Sequence, residues 1–74
     1  MYTDLEAILD FCNRVDPNGD YTMTDLLANP EGYAEMLQEW CQDMGTEYTH
    51  AEMAQLVSMI STLVAYGVYL RFYA

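Results

Sequence analysis

The first apolar positions of the chain are Leu5, Ile8, Leu9, Cys12 and Val15. Spacings of three, one, three and three draw a single stripe along a helix. Thr3-Asp4-Leu5-Glu6 has the T-x-x-E form of a capping box, so a first helix is expected from about Asp4 to Val15. Asp16-Pro17-Asn18-Gly19-Asp20 should end it, because Pro17 disfavours helical backbone at the residue before it and Asn-Gly favours a turn. Thr22 to Ala28 is read as one or two helical turns, with Thr22 as N-cap, Asp25 at the third helical position, and Met23, Leu26 and Leu27 facing inward.

Asn29-Pro30 is a second start signal, an N-cap followed by proline at the first helical position. The stripe Tyr33, Met36, Leu37, Trp40, Cys41, Met44 then predicts a third helix over about Pro30 to Met44, with Gly45 as its C′ glycine. Thr49-His50-Ala51-Glu52 is another capping box. It opens a long helix reaching about Phe72, whose inner face is expected to be Met53, Leu56, Val57, Ile60, Leu63, Val64, Gly67 and Val68. The apolar residues never alternate with polar ones as in a strand. The expected fold is therefore all-α: one domain over residues 1–74, a small helical bundle of three main helices plus one short helix.

Two stretches of this pattern test the cellular setting. Met53 to Leu70 contains no charged residue, and its 18 positions reach the lower edge of a membrane span. Gln55, Ser58, Ser61 and Thr62 interrupt it, Glu47 and Glu52 flank it, and no Lys/Arg cluster marks a cytoplasmic side, so a buried soluble helix is expected. The start, Met1-Tyr2-Thr3-Asp4, is acidic and lacks the apolar core of a secretory leader. Cys12 and Cys41 fit the apolar faces of two helices and are expected as reduced core thiols.

Charge changes the picture most. Twelve Asp and Glu stand against two Arg and no Lys, a net charge of −10 in 74 residues. There is no lysine for a P-loop or a Schiff base, and two arginines cannot hold nucleic acid by counterion release. One histidine excludes a two-histidine metal site, and His50 beside Glu52 is read as an exposed residue of a helical first turn. No nucleophile has a plausible base, so no catalytic residues and no cofactor are expected.

The acids are not scattered. Glu31, Glu35, Glu39 and Asp43 recur every fourth residue on the third helix. Relative to Tyr33 they lie at roughly 160° to 280° around the helix, while the apolar stripe spans roughly −60° to +80°. Like charges at i, i+4 destabilise a helix by about 0.2–0.5 kcal/mol per pair, and no lysine relieves them. A row of carboxylates that works against folding is read as a docking ridge for a cationic surface, flanked by Asp10, Asp16, Asp20 and Asp25. One ridge is several-fold sparser in charge than duplex DNA, with its charge every ~1.7 Å, so those flanking acids would have to contribute.

Asp16, Asn18, Asp20 and Met23 match positions 1, 3, 5 and 8 of an EF-hand calcium loop. The match fails at position 6, where Tyr21 replaces glycine, and at position 12, where Leu27 replaces the bidentate glutamate. Tyr66, Tyr69 and Tyr73, at i, i+3, i+7, form a second face of the last helix, together with Gln55, Met59 and Thr62. Either the first three helices wrap that helix and the tyrosine hydroxyls reach water, or the tyrosines form a self-association surface.

In size, charge and helicity the chain resembles the small acidic inhibitors carried by phages and mobile elements, notably anti-CRISPR proteins that compete with DNA for an effector complex. It is similar in kind to the acidic helical immunity proteins that neutralise nuclease toxins. The resemblance implies a non-enzymatic inhibitor, a DNA mimic in charge. Its partner would be a basic nucleic-acid-handling protein such as a CRISPR effector or a nuclease, with no direct nucleic-acid or membrane binding. A cytoplasmic location in a bacterial host is implied if the chain is phage-encoded. The alternatives are a structural or regulatory homodimer assembled through the last helix, or a degenerate EF-hand-like module.

Overall fold

The computed structural model describes residues 2–73, with side chains from Leu5 onward. The fold is all-α. In chain order the helices are α1 (Tyr2–Val15), α2 (Met23–Ala28), α3 (Pro30–Asp43) and α4 (His50–Tyr73). The 24 residues of α4, at 1.5 Å each about 36 Å, set the 38 Å long axis of the molecule.

Helix boundaries follow the caps. Thr22 Oγ1 accepts from Asp25 N at 3.2 Å and Asp25 Oδ2 accepts from Thr22 N at 3.2 Å, the reciprocal pair of a capping box. Asn29 Oδ1 accepts from Gly32 N at 3.1 Å, and Pro30 opens α3 without an orphaned N–H. Thr49 Oγ1 accepts from Glu52 N at 3.2 Å, while the Glu52 carboxylate accepts from the Thr49 hydroxyl at 3.0 Å. Two expectations fail. Helix α1 begins at Tyr2, ahead of Asp4, so Thr3 lies inside it; that residue's side chain is outside the described ones. Gly45 is not a left-handed C′ residue, since no glycine among the described residues has positive φ. The chain instead leaves α3 through Met44 at φ −110° and a tight turn in which Glu47 N donates to Met44 O at 2.9 Å.

The most extensive helix contact is α3 on α4; α1 packs on α4 and α2, and α2 touches α3. Helices α3 and α4 run antiparallel: Glu31 at the start of one meets Arg71 at the end of the other. Gly67 permits this approach, because a Cβ there would come within 2.8 Å of Glu31 Cγ. The core is Leu5, Ile8, Phe11, Cys12, Leu26, Ala34, Leu37, Leu56, Met59 and Leu63. Phe11 falls beside the stripe read from the sequence, yet it is buried, with Trp40 and Tyr48 at 6.0 and 6.4 Å between ring centroids.

Helix α4 departs from expectation in two ways. Its buried residues are Leu56, Met59, Leu63 and Gly67, whereas Val57, Val64 and Val68 are exposed. The inward face is rotated by roughly 60° from the predicted one, which moves Met59 from the outer side into the core. The other three helices also do not wrap α4: it packs along one side only, and 22% of its most apolar 18-residue window is buried. By length and composition alone it is long and apolar enough to cross a membrane.

Candidate functional site

Glu31, Glu35, Glu39 and Asp43 all lie exposed on the outer face of α3. Four residues of helix separate each from the next, about 6 Å along the axis. They are not equivalent. Glu31 is ion-paired with Arg71, so the expectation of four uncompensated carboxylates holds for three at most. The pair forms because Gly67 lets the stem of Glu31 lie against α4 and aim its carboxylate at the last turn. Asp10 is likewise taken up, 3.6 Å from Arg14 one turn later on α1. Both arginines of the chain are thus engaged within it, at exposed positions where such pairs contribute little to stability.

The flanking acids divide in the same way. Asp25 is the reciprocal residue of the α2 cap. Asp16 lies 3.4 Å from the Tyr21 hydroxyl. Asp20 is exposed and holds positive φ, 51°, the one such non-glycine residue among those described. Of the ridge and its flanking acids, those without an ion pair, a capping role or a side-chain hydrogen bond are Glu35, Glu39 and Asp43 on consecutive turns of α3, and Asp20 in the loop.

The loop does not form a cation site. Gly19 N donates to Asp16 O at 3.0 Å, closing a turn with Pro17 and Asn18 at its corners. The Tyr21 ring folds back over Gly19, where a Cβ would meet Cε2 at 2.6 Å, so a larger residue there would displace the ring. Tyr21 then packs edge-on against Tyr33, with centroids 5.3 Å apart and an interplanar angle of 78°, and anchors the loop to α3. No group of three or more His, Cys, Asp or Glu among the described residues is placed to hold a metal. The EF-hand resemblance ends at Tyr21, where an aromatic anchor replaces the glycine that would turn ligands inward.

Burial shapes the few shifted titrations. The Cys12 thiol, wholly buried, is pushed up to about 11 by desolvation. Cys41 is raised for the same reason, and both thiols are free. The Tyr21 hydroxyl is raised by desolvation and then by the Asp16 charge; that of Tyr33 by desolvation and then by Asp25. His50 is exposed at the start of α4.

A cleft of about 430 Å³ opens beside α1, between Phe11, Val15, Met44, Tyr48, Leu56 and Met59, with Arg14, Glu47 and Glu52 at its rim. It was not legible in the sequence because its walls come from α1, α4 and the connection between α3 and α4. The tyrosines split. Tyr66 packs against the core edge, contrary to its expected place opposite the core, while Tyr69 and Tyr73 are exposed. Tyr69 stacks on Tyr73 at 5.4 Å and lies 6.0 Å from Tyr66, so the three rings form a ladder.

No protein family matches the chain, and neither a characterised protein nor a solved structure is significantly similar to it.

Proposed function

We propose that this chain is a non-enzymatic acidic binding protein that occupies a basic, nucleic-acid-binding surface of a partner protein. One observation carries the reading. Glu35, Glu39 and Asp43 stand exposed on successive turns of one helix, without a cation, while both arginines are paired elsewhere. Selection for folding alone would place lysine among them, since each like-charge pair costs helix stability. A cationic partner offsets that repulsion on docking and speeds encounter in low salt.

Asp43 lies at the C-terminal end of α3, where the helix dipole disfavours an anion, so a partner cation would relieve both effects there. Asp20 and Glu31 supply further negative charge, Glu31 through a pair that a guanidinium or ammonium group can exchange. The class of partner that suits such a ridge is a DNA- or RNA-handling protein, a CRISPR effector or a nuclease among them, and the effect of docking is inhibition.

The test compares the wild type with the double variant Glu35→Lys/Glu39→Lys as bait in a bacterial lysate at 50 mM and 500 mM salt. Nucleic-acid-binding proteins should be recovered by the wild type at low salt only and not by the variant. Equal recovery by the two baits would refute the ridge as the docking element. Partners so identified are then assayed for DNA binding with and without the protein, and undiminished binding would refute inhibition.

A further inference from the structure

All the exposed large hydrophobic residues among those described lie on α4: Val57, Val64, Val68, Tyr69, Phe72 and Tyr73. Phe72 and Tyr73 are 72% and 78% exposed, and Val57 is 57% exposed. On the helix they surround a strip of small residues centred on Ser61 and Ala65, close to the midpoint of α4. From these observations we infer that the outer face of α4 is the interface of a homodimer, in which two copies pair their α4 helices about a two-fold axis near Ser61.

Area is the first argument. The six large side chains leave about 650 Å² open per copy, more than the largest apolar patch of a typical monomer. Pairing two such faces through the valines, the small residues and Phe72 removes on the order of 1,000 Å² from water, about the least that a specific complex needs. Charge is the second argument. Each copy carries a net charge of −10, yet Met53 to Leu70 contains no Asp, Glu, Lys, Arg or His. This is the face on which two such anionic copies can meet with their carboxylates turned to solvent.

The local chemistry fits close packing of two helices. The Ser61 hydroxyl donates to Val57 O at 3.2 Å, so its proton is already engaged and does not oppose burial. Small residues at the centre let two helix backbones approach, with valines on one flank and the tyrosine ladder on the other. A bilayer does not suit the same face. The α3 helix packs along α4, and a spanning α4 would carry Glu31, Glu35 and Glu39 to the depth of the hydrocarbon, where carboxylates are strongly disfavoured.

The inference does not rest on the acidic ridge, and the two fail separately: Glu35→Lys/Glu39→Lys should leave the dimer intact. Sedimentation equilibrium of the full chain should give a dimer that tightens from 50 mM to 500 mM salt, as repulsion between the copies is screened. Val64→Glu, at an exposed position, should weaken the dimer at least 100-fold with unchanged helical circular dichroism. If that variant loses its helix signal, Ser61→Cys decides instead: mild oxidation should give a covalent dimer, and its absence overturns the inference. A wild-type chain that is monomeric at 200 µM in 500 mM salt overturns it, as does a folded Val64→Glu variant that remains dimeric. A monomer that partitions onto neutral phosphatidylcholine vesicles overturns it in favour of a lipid surface.

Discussion

Replacing Glu39 by lysine should make the protein more stable and a poorer ligand for a cationic surface. Glu39 lies one turn after Glu35 and one turn before Asp43, and all three are exposed. Each of the two like-charge pairs costs about 0.2–0.5 kcal/mol, and lysine converts both into attractive pairs of similar size. The gain is roughly 0.8–2 kcal/mol, with a small addition because a cation suits the C-terminal half of a helix. For a domain of this size that corresponds to a rise in Tm of roughly 3–16 °C. Thermal unfolding followed at 222 nm in 20 mM salt measures it, and Glu39→Gln should give about half the effect. At 1 M salt the screening length falls to ~3 Å, shorter than the ~6 Å between turns, so most of the gain should vanish. A variant no more stable than the wild type, or a gain equal at both salts, would refute the claim that the ridge strains the fold electrostatically.

Met59→Ala should cost about 2–5 kcal/mol in urea unfolding, because the side chain is buried against α1 rather than facing out; a cost under about 0.5 kcal/mol would restore the register read from the sequence. Asp20 sits at φ 51°, so Asp20→Val should lose at least about 1 kcal/mol while Asp20→Gly loses nothing, and equal stabilities would show that the loop readjusts freely. The Cys12 thiol is raised from 9.0 to about 11, so the unfolded chain loses its proton first as pH rises. Stability from this group is intact below pH 9 and falls towards pH 11 by about 1.4 kcal/mol per unit. Cys41 is raised in the same direction, so Cys12→Ala should reduce that fall below pH 10 and Cys12→Ala/Cys41→Ala should flatten it; an unchanged slope in the double variant would place the titration elsewhere.

The helices and their starts were legible because short-range chemistry fixes them. Thr22, Asn29 and Thr49 cap helices as their sequence contexts demand, and Pro17 and Pro30 stop or start them for covalent reasons. The exposure of the α3 acids was legible because that helix is strongly two-faced. Helix α4 was not, because it is apolar nearly all round and periodicity cannot fix the phase of such a helix. Its rotation is set by tertiary fit: Gly67 lies against Glu31, and Met59, not Val57 or Val64, is buried. The pairing of Glu31 with Arg71 spans 40 residues and could be seen only once α3 and α4 were laid antiparallel. Phe11 was missed for a related reason, since its partners Trp40 and Tyr48 come from elsewhere in the chain.

The placement of the two arginines reaches beyond electrostatics. Trypsin has only Arg14 and Arg71 to cut after, and both lie in the last turn of a hydrogen-bonded helix. The native protein should therefore resist that protease, and even when denatured it should release residues 15–71 as one long acidic peptide. With no lysine side chain, amine-reactive cross-linkers and labels find no side-chain foothold. Survey methods built on tryptic peptides or lysine chemistry would register this molecule faintly, and carboxylate-directed coupling or cleavage after glutamate is the route by which to detect it and map what it touches.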